Sequence, residues 1–369
     1  MIGTLLAFAA LAAWIYLFAL HGRFWRSAPE LLPAVPDELP DVDVLVPARD
    51  ERETIARAIG SLLAQDYRGR FRVILIDDQS SDGTAEAAGE SPGLSVIRGQ
   101  PKPDGWSGKL WALAQGVEAS RAPVLLFTDA DIVHDPRHLS TLVARLLKPR
   151  TAMVSELVRL NCESDAERLL VPAFVYFFQM LYPFARVNDP RSRLAAASGG
   201  VVLLRREALE AAGGIAAIRE TLIDDVALAR AIKPFGAIYL GHSGLATSVR
   251  EYQGFAQIWR MITRTAFTQL RHSALLLAAT IAGMALIWFV PLWQVLLGQG
   301  GGFVAGLAAF CLSTITFLPT LNRYGRSHWL AFTLPLVAAF YLAATMGSAL
   351  DAWFGRGARW KSRAYRKGA

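Results

Sequence analysis

FRVILIDDQSSDGT, residues 71–84, decides the fold. Phe71–Ile76 is a short, mostly apolar run with β-branched Val73, Ile74 and Ile76, the composition of a strand. It stops at two adjacent acids, Asp77 and Asp78. Ser81, Asp82 and Gly83 then make a turn, and Thr84 is suited to start a helix. The same order recurs on both sides. Upstream, Asp43–Pro47 is an apolar strand, and Glu51–Gln65 a helix with Ile55, Ile59, Leu62 and Leu63 on one face. Downstream come a strand at Leu94–Arg98, a helix at Lys109–Ser120, a strand at Pro123–Thr128 and a helix at Pro136–Leu147. Strands alternating with helices predict an α/β domain, a parallel sheet wrapped on both faces. Ligands of such sheets bind beyond the carboxyl ends of the strands. The unusual polar residues fall there: Pro47-Ala48-Arg49-Asp50-Glu51, Asp77-Asp78, and Asp129-Ala130-Asp131.

The chemistry of these strand ends is that of an anionic ligand and a hard cation. Two carboxylates one residue apart at a strand end, Asp129 and Asp131, suit Mg2+ or Mn2+, which prefer oxygen and bind diphosphates. A lone pair of this kind is equally a surface turn rich in Asp. His134 and Asp135 just beyond read as turn residues rather than ligands. Asp77 and Asp78 together exceed what helix capping needs and can accept from the base and ribose of a nucleotide. Gly105-Trp106-Ser107-Gly108-Lys109 opens a helix where backbone and Lys109 can meet phosphate, although a solvated lysine fits the same position. The glycine spacing is not that of a Walker loop. Asp224 and Asp225 begin another helix. They serve either as a carboxylate base for a hydroxyl or simply as acids matched to the helix dipole.

The 369 residues are 53% hydrophobic, above the usual globular share. The excess gathers at the two ends of the chain. Met1–Leu20 carries no charge and is long enough to cross a bilayer, with Arg23 and Arg26 behind it. Charge after rather than before the apolar run predicts an uncleaved anchor, residues 1–26, with the following domain in the cytoplasm. Ser27–Pro40, with four prolines, reads as a linker, residues 27–40. Three further apolar stretches, Ser273–Leu296, Gly302–Leu321 and Trp329–Leu350, predict spans over residues 273–350. Arg323 and Arg326 mark the loop between the last two as cytoplasmic. The basic tail, residues 351–369, with Arg356, Arg359, Lys361, Arg363, Arg366 and Lys367, should also lie inside, which conflicts with an odd number of crossings. A re-entrant first stretch, at Pro291, would resolve it. Leu169–Ala185 holds six aromatic residues and no charge, and is read as an interfacial segment, residues 165–187, with a buried core helix as the other reading. Gly254–Arg271 has Phe255, Ile258, Ile262, Ala266 and Leu270 on one side, which predicts an amphipathic interface helix, residues 254–272. Gln257 and Arg260 on it either face the site or, with the other arginines, anchor to lipid headgroups.

Net charge is modest at +7, from 38 Lys and Arg against 31 Asp and Glu. No basic run with interleaved aromatics occurs within the domain, which argues against nucleic acid. The two cysteines, Cys162 and Cys311, form no metal spacing.

Together these motifs resemble the family 2 glycosyltransferases, and within them the bacterial hopene-associated, ceramide glucosyltransferase-like branch. The resemblance covers residues 41–253 and continues to Arg271. It implies a GT-A (Rossmann-like) domain between an N-terminal transmembrane anchor and C-terminal transmembrane helices. It assigns the nucleotide-sugar to Pro47, Ala48, Arg49, Glu51, Asp77, Asp78, Lys109 and Asp129, and the metal to Asp129 and Asp131 of a DxD motif. Asp225 matches the catalytic base, with Asp224 where Glu is more usual. Asp50 stands where the family has Asn. Gln257-Ile258-Trp259-Arg260-Met261 matches the QxxRW element except for Met261, a departure that argues against processive polymerisation. Ser198, Gly199 and Gly200, with Gln257 and Arg260, are expected on the acceptor side. The implied activity is inverting transfer from a nucleotide diphosphate-sugar, expected to be a UDP-sugar, to a membrane lipid such as a hopanoid or related alcohol. The implied location is the bacterial inner membrane. A polyprenyl-phosphate sugar or polysaccharide synthase is the alternative, and a silent nucleotide-sugar-binding membrane protein the second.

Overall fold

A computed structural model describes residues 1–355 together with 359–360 and 363–364. The chain divides into two compact units. One comprises Met1–Ser27, Cys162–Ala185 and Glu251–Ala358; the other comprises Ala28–Asn161, Arg186–Arg250 and Arg359–Ala369. The basic side chains of the tail, from Arg356 to Lys367, lie outside the described residues.

The chain opens with α1 (Ile2–Ala19), β1 (Val42–Ala48), α2 (Ile55–Leu63), β2 (Phe71–Asp77), α3 (Thr84–Ala88), β3 (Leu94–Arg98) and α4 (Gly108–Ala119). Then come β4 (Val124–Thr128), β5 (Ile132–His134), α5 (His138–Leu146), β6 (Thr151–Arg159), α6 (Asp165–Leu181) and α7 (Phe184–Asn188). Next are β7 (Val201–Arg205), α8 (Arg206–Ala211), α9 (Asp224–Ile232), β8 (Ala237–Ser248), α10 (Phe255–Thr263) and α11 (Ala266–Gln269). The last helices are α12 (Ala274–Met284), α13 (Val290–Leu297), α14 (Gly300–Arg323) and α15 (Leu334–Trp353).

The sheet unit is built on eight strands in the order β3-β2-β1-β4-β7-β6-β8-β5. The half from β3 to β4 is parallel, as the alternation of elements predicts. Every residue of β1 is buried, the continuous apolar run of a central parallel strand. The second half mixes directions: β7 runs antiparallel to β4 and β6, and β5 antiparallel to β8. The expected parallel sheet is thus half of a mixed one. Helix α4 lies close on the parallel half. A Cβ on Gly116 would stand 2.8 Å from Ile76 Cδ1 and 3.3 Å from Leu45 Cδ1, so only glycine allows that approach. Behind the strand starts, buried Asp43 accepts from Arg72 Nε at 2.7 Å and from Ser120 Oγ at 2.6 Å. Burial opposes that charge, but these bonds outweigh it and hold the carboxyl below its ordinary range. Residues 28–40 are docked on the sheet unit rather than free: Pro29 O accepts from His242 N at 2.8 Å, and Pro40 O from Tyr67 OH at 2.6 Å.

Among the described residues, the helical unit contains four helical stretches long and apolar enough to cross a membrane: Ile2–Ala19, Ala274–Leu297, Gly300–Arg323 and His328–Trp353. Small residues let them approach closely: a Cβ on Gly306 would meet Gln294 Cβ at 2.4 Å. The second stretch is continuous through Pro291 by way of a π-helical turn at Ala285–Phe289. Proline has no N–H to offer the carbonyl of Ile287 four residues back. Trp14 Nε1 on α1 donates to that oxygen instead, at 2.7 Å. The aromatic stretch at 165–187 is largely a packed helix. Leu170, Ala173 and Tyr176 of α6 are buried in a cluster with Trp14, Trp288 and Phe317. Its start is fixed by a capping box between Ser164 and Glu167. Residues 254–272 do not form one helix. The chain breaks at Arg264–Thr265 between α10 and α11, with Ile258 and Ile262 of α10 turned into the core.

Candidate active site

The strand ends carry the site, and the loops after β1 and β2 are locked together. Asp50 takes a left-handed conformation, φ 50°, and so does Gln79, φ 57°. In this geometry Asp50 N donates to Ser80 Oγ at 3.0 Å, and Ser81 N donates to Asp50 Oδ1 at 2.9 Å. Glu51 N donates to Thr84 Oγ1 at 2.8 Å, and Thr84 Oγ1 in turn to Asp82 Oδ1. The helix expected from Glu51 therefore starts only at Ile55, because Glu51 is engaged across the loop. Arg49 donates to the carbonyl of Asp78 at 2.5 Å and lies 3.7 Å from its fully buried carboxylate. Asp77 Oδ1 accepts from Ser80 N at 3.2 Å. Both acids thus shape the floor of the loop pair.

A lysine sits at the hub of three acids. The side chain of Ser107 caps α4 and sets Lys109 in its first turn. Lys109 Nζ lies 2.7 Å from Asp129 Oδ1 and 3.4 Å from Asp224 Oδ2, and donates to Gly199 O at 3.4 Å. Burial disfavours the ammonium, but Asp129 and Asp224 outweigh it and hold its proton more tightly than in an ordinary lysine. Asp225 is held from the other side. Its Oδ2 accepts from Gly199 N at 2.9 Å and its Oδ1 from Val226 N at 2.7 Å. Removal from water, then repulsion from Asp224, pushes its carboxyl up to about 7 against the pull of Lys109. Asp129 is also raised, chiefly by burial, with Lys109 opposing. Gly199 must be small, since a Cβ there would sit 3.3 Å from Lys109 Nζ and 3.5 Å from Asp225 Oδ2. Beneath these charges lies a cavity walled by Leu113, Phe127, Val202, Ile215 and Leu228.

Asp131 has a different partner. Arg250, just past the end of β8, donates from Nε to Asp131 Oδ2 at 2.7 Å and from a terminal nitrogen to Glu51 Oε1 at 2.6 Å. Ser248 Oγ adds a bond to the same Asp131 oxygen at 3.3 Å. Burial opposes the guanidinium charge, yet Asp131 and Glu51 hold it above its ordinary range.

The sequence-predicted residues therefore separate into groups. Lys109, Asp129, Asp224, Asp225 and Gly199 converge. Ser198 and Gly200 flank them: Ser198 N donates to Ser155 Oγ at 2.8 Å, and Gly200 O accepts from Asp129 N at 3.2 Å. Pro47 lines the cavity, and Ala48 closes β1 by accepting from Asp78 N at 2.8 Å. Glu51 and Asp131 meet through Arg250. Gln257 and Arg260 lie on α10 in the helical unit, where Gln257 Oε1 accepts from Gln253 N at 3.1 Å. Among the described residues no three metal-binding side chains cluster. Asp129 and Asp131, the pair expected to hold a metal, each face a cation of the chain, Lys109 and Arg250. Arg250 is the residue that sequence reasoning missed. Its only signal is position, directly after a long apolar strand whose end pairs with β5 beside Asp131.

Residues 43–213 match the family model described as Glycosyl transferase family 2. Among curated relatives, the Beta-monoglucosyldiacylglycerol synthase of Trichormus variabilis is 28% identical over 195 residues, 52% of this chain and 40% of that protein. The 4,4'-diaponeurosporenoate glycosyltransferase of Staphylococcus haemolyticus is 33% identical over 99 residues, 26% of each. The chain thus spans less than half the length of either. A mannosyltransferase from Pyrobaculum calidifontis, solved in complex with GDP-Man and Mn2+, aligns over 98% of this chain and 100% of its own. Its TM-score of 0.58 at 19% identity shows a shared fold.

Proposed function

We propose that this glycosyltransferase, whose family 2 domain occupies residues 43–213, moves one sugar from a nucleotide diphosphate donor to a membrane lipid. The observation that carries the proposal is the Asp225 carboxylate, bonded to backbone N–H groups and raised to about 7 beside Lys109, Asp129 and Asp224. A base of that strength is half ionised near neutral pH, where it can accept a proton from a hydroxyl. Asp225 takes the proton of the acceptor hydroxyl as its oxygen bonds to the anomeric carbon. The bond from that carbon to the diphosphate breaks on the opposite face, which inverts the configuration. Lys109 lies where it can meet charge left on the departing diphosphate.

Asp129 and Asp131 would hold a divalent ion, Mg2+ or Mn2+, which neutralises diphosphate charge when bound. Arg49, Glu51, Asp77 and Asp78, with Pro47 and Ala48, form the nucleotide side, and we expect a UDP-sugar there. Ser198, Gly199 and Gly200 form the acceptor side. A lipid acceptor is supported by the four apolar helices of membrane-crossing length and by a relative named for a glucosyldiacylglycerol. A hopanoid or related lipid alcohol remains the expected acceptor, reached from the cytoplasmic face of a bacterial inner membrane.

The test is release of nucleotide diphosphate from a panel of nucleotide-sugars by protein purified in detergent. Mn2+ or Mg2+ and a bacterial lipid extract are supplied, and the product is read by mass spectrometry. Release from one donor that depends on both metal and lipid is the expected result. Equal transfer to a soluble sugar without lipid would overturn the reading.

A further inference from the structure

A chain of four buried side chains runs from the acidic strand end into the core. Thr128, His134, His138 and Glu156 are 1%, 4%, 0% and 0% exposed. Thr128 Oγ1 is 3.0 Å from His134 Nε2, His134 Nδ1 is 2.8 Å from His138 Nδ1, and His138 Nε2 is 2.7 Å from Glu156 Oε2. Thr128 also donates its one hydroxyl proton to Gly200 O at 3.0 Å.

Counting protons gives the chain a direction. Since Thr128 Oγ1 donates to Gly200, it must accept from His134, so His134 carries its hydrogen on Nε2. Burial, then the neighbouring His138, keeps His134 neutral, which leaves its Nδ1 bare. His138 must then donate from its own Nδ1. Its Nε2 faces Glu156 Oε2 at 2.7 Å, and among the described residues the other carboxylate oxygen, Oε1, has no hydrogen-bond partner. From His138 Nδ1 onward every donor therefore points the same way, through His134 to Thr128 and the Gly200 carbonyl. These tautomers follow from the bonding pattern together with a neutral His134.

The Thr128 end of this array touches the site. Thr128 precedes Asp129, and Gly200 O accepts from Asp129 N as well as from Thr128. Gly199, one residue back, gives its N–H to Asp225 and its carbonyl to Lys109. Four apolar side chains would fill the same volume without the cost of burying polar groups. What the polar set adds is orientation.

We infer that Thr128, His134, His138 and Glu156 form a positioning array that holds the Asp129 strand end against the Gly199–Gly200 segment, and so keeps Asp225 aimed at the acceptor. The inference rests on the reading of Asp129 and Asp225 given above. His138 and Glu156 are positioning residues, since they reach the site only through Thr128 and Gly200.

The test uses the full chain in detergent micelles, labelled with 15N-histidine. Nitrogen spectra should show His134 protonated at Nε2 and bare at Nδ1, with His138 protonated at Nδ1. This readout needs no turnover. Two variants then separate orientation from packing. In Glu156→Gln the amide can donate to His138 Nε2 and preserve the direction, whereas Glu156→Leu removes the partner at similar volume. Loss of a partner that orients a site residue costs about 10- to 100-fold. Glu156→Leu should lower kcat by that factor with donor KM little changed, and Glu156→Gln should restore kcat to near the parent. A His134 protonated at Nδ1 overturns the inference, as does a Glu156→Leu protein with parental kcat, or a Gln variant as slow as the Leu variant. If the tautomers hold and no donor is turned over by the parent protein, the array stands and the proposed function fails.

Discussion

Replacing Asp225 with Asn removes the base and leaves its seat. Asn can still accept from Gly199 N through its Oδ1, the bond made at 2.9 Å, so the glycine segment keeps its anchor. The other acceptor, which Val226 N uses at 2.7 Å, becomes an amide nitrogen and that bond is lost. General-base assistance is worth about 10²- to 10⁴-fold, so kcat should fall by that factor while donor KM moves little. The parent enzyme's kcat/KM should rise with pH about tenfold per unit below 7 and flatten above it, because Asp225 must be ionised to act. The variant should lose that limb. Stability moves oppositely. A carboxyl whose pKa rises from its ordinary 3.8 to about 7 on folding favours the protonated native state. Its contribution is fully present below pH 3.8, and is lost as pH climbs to 7. One pKa unit is about 1.4 kcal/mol, so Asp225→Asn should melt higher than the parent at pH 8 and no higher at pH 4. Thermal unfolding and diphosphate release at matched pH values measure both. A variant with parental kcat at pH 8, or a rate limb unchanged by the substitution, refutes the assignment of Asp225.

Three further outcomes follow from the packing and charge around the sheet. Lys109→Met takes the cation away from Asp129, Asp224 and Asp225, and should move the rate limb of Asp225 above 7; a limb that stays in place would detach Lys109 from the acids. Gly116→Val forces a Cβ to 2.8 Å from Ile76 Cδ1, and overpacking of this kind costs about 1–3 kcal/mol. Denaturant unfolding reads the loss, and an unchanged midpoint would mean that α4 moves off the sheet freely. Asp43→Ala strips Arg72 and Ser120 of their partner, a loss of about 2–3 kcal/mol for a buried, charge-assisted pair. The folded carboxyl is lowered, so the difference from the parent should be present at pH 7 and shrink as pH falls below 4. A pH-independent difference would indicate packing instead.

The parallel half of the sheet was legible because each strand is a short apolar run ending in polar residues, as at Val124–Thr128 before Asp129. Leu94–Arg98 was read to the residue. The antiparallel half was not legible. Strands β6 and β8 pair over a separation of some eighty residues, with register shifts that no local pattern records. Local signals also misplaced the start of α2, since the contact of Glu51 with Thr84 is made between loops distant in sequence. The acids of the site announced themselves by their place at strand and helix ends. Their cations did so only in part: Lys109 follows a glycine-rich turn, whereas Arg250 looks like any surface arginine until β8 brings it to Asp131. The buried His134 looked like a turn residue, and His138 like any residue of the helix expected at Pro136–Leu147. Neither histidine carries a charge pattern, and their link to Glu156 crosses from the end of β5 and the start of α5 to β6.

The bond from Trp14 to the carbonyl of Ile287 joins residues 273 positions apart. That carbonyl is stranded by Pro291, and an unsatisfied peptide oxygen in hydrocarbon costs several kcal/mol. During synthesis α1 emerges long before the helix it must complete, and it has to wait near the exit for that partner. It is therefore an early-made part of a bundle finished late, as well as a helix long and apolar enough to cross a membrane. Exchanging it for an unrelated apolar helix of equal length should hold the chain at the bilayer and still leave the bundle unsealed at Ile287. Supplying residues 1–27 as a separate peptide should reseal it.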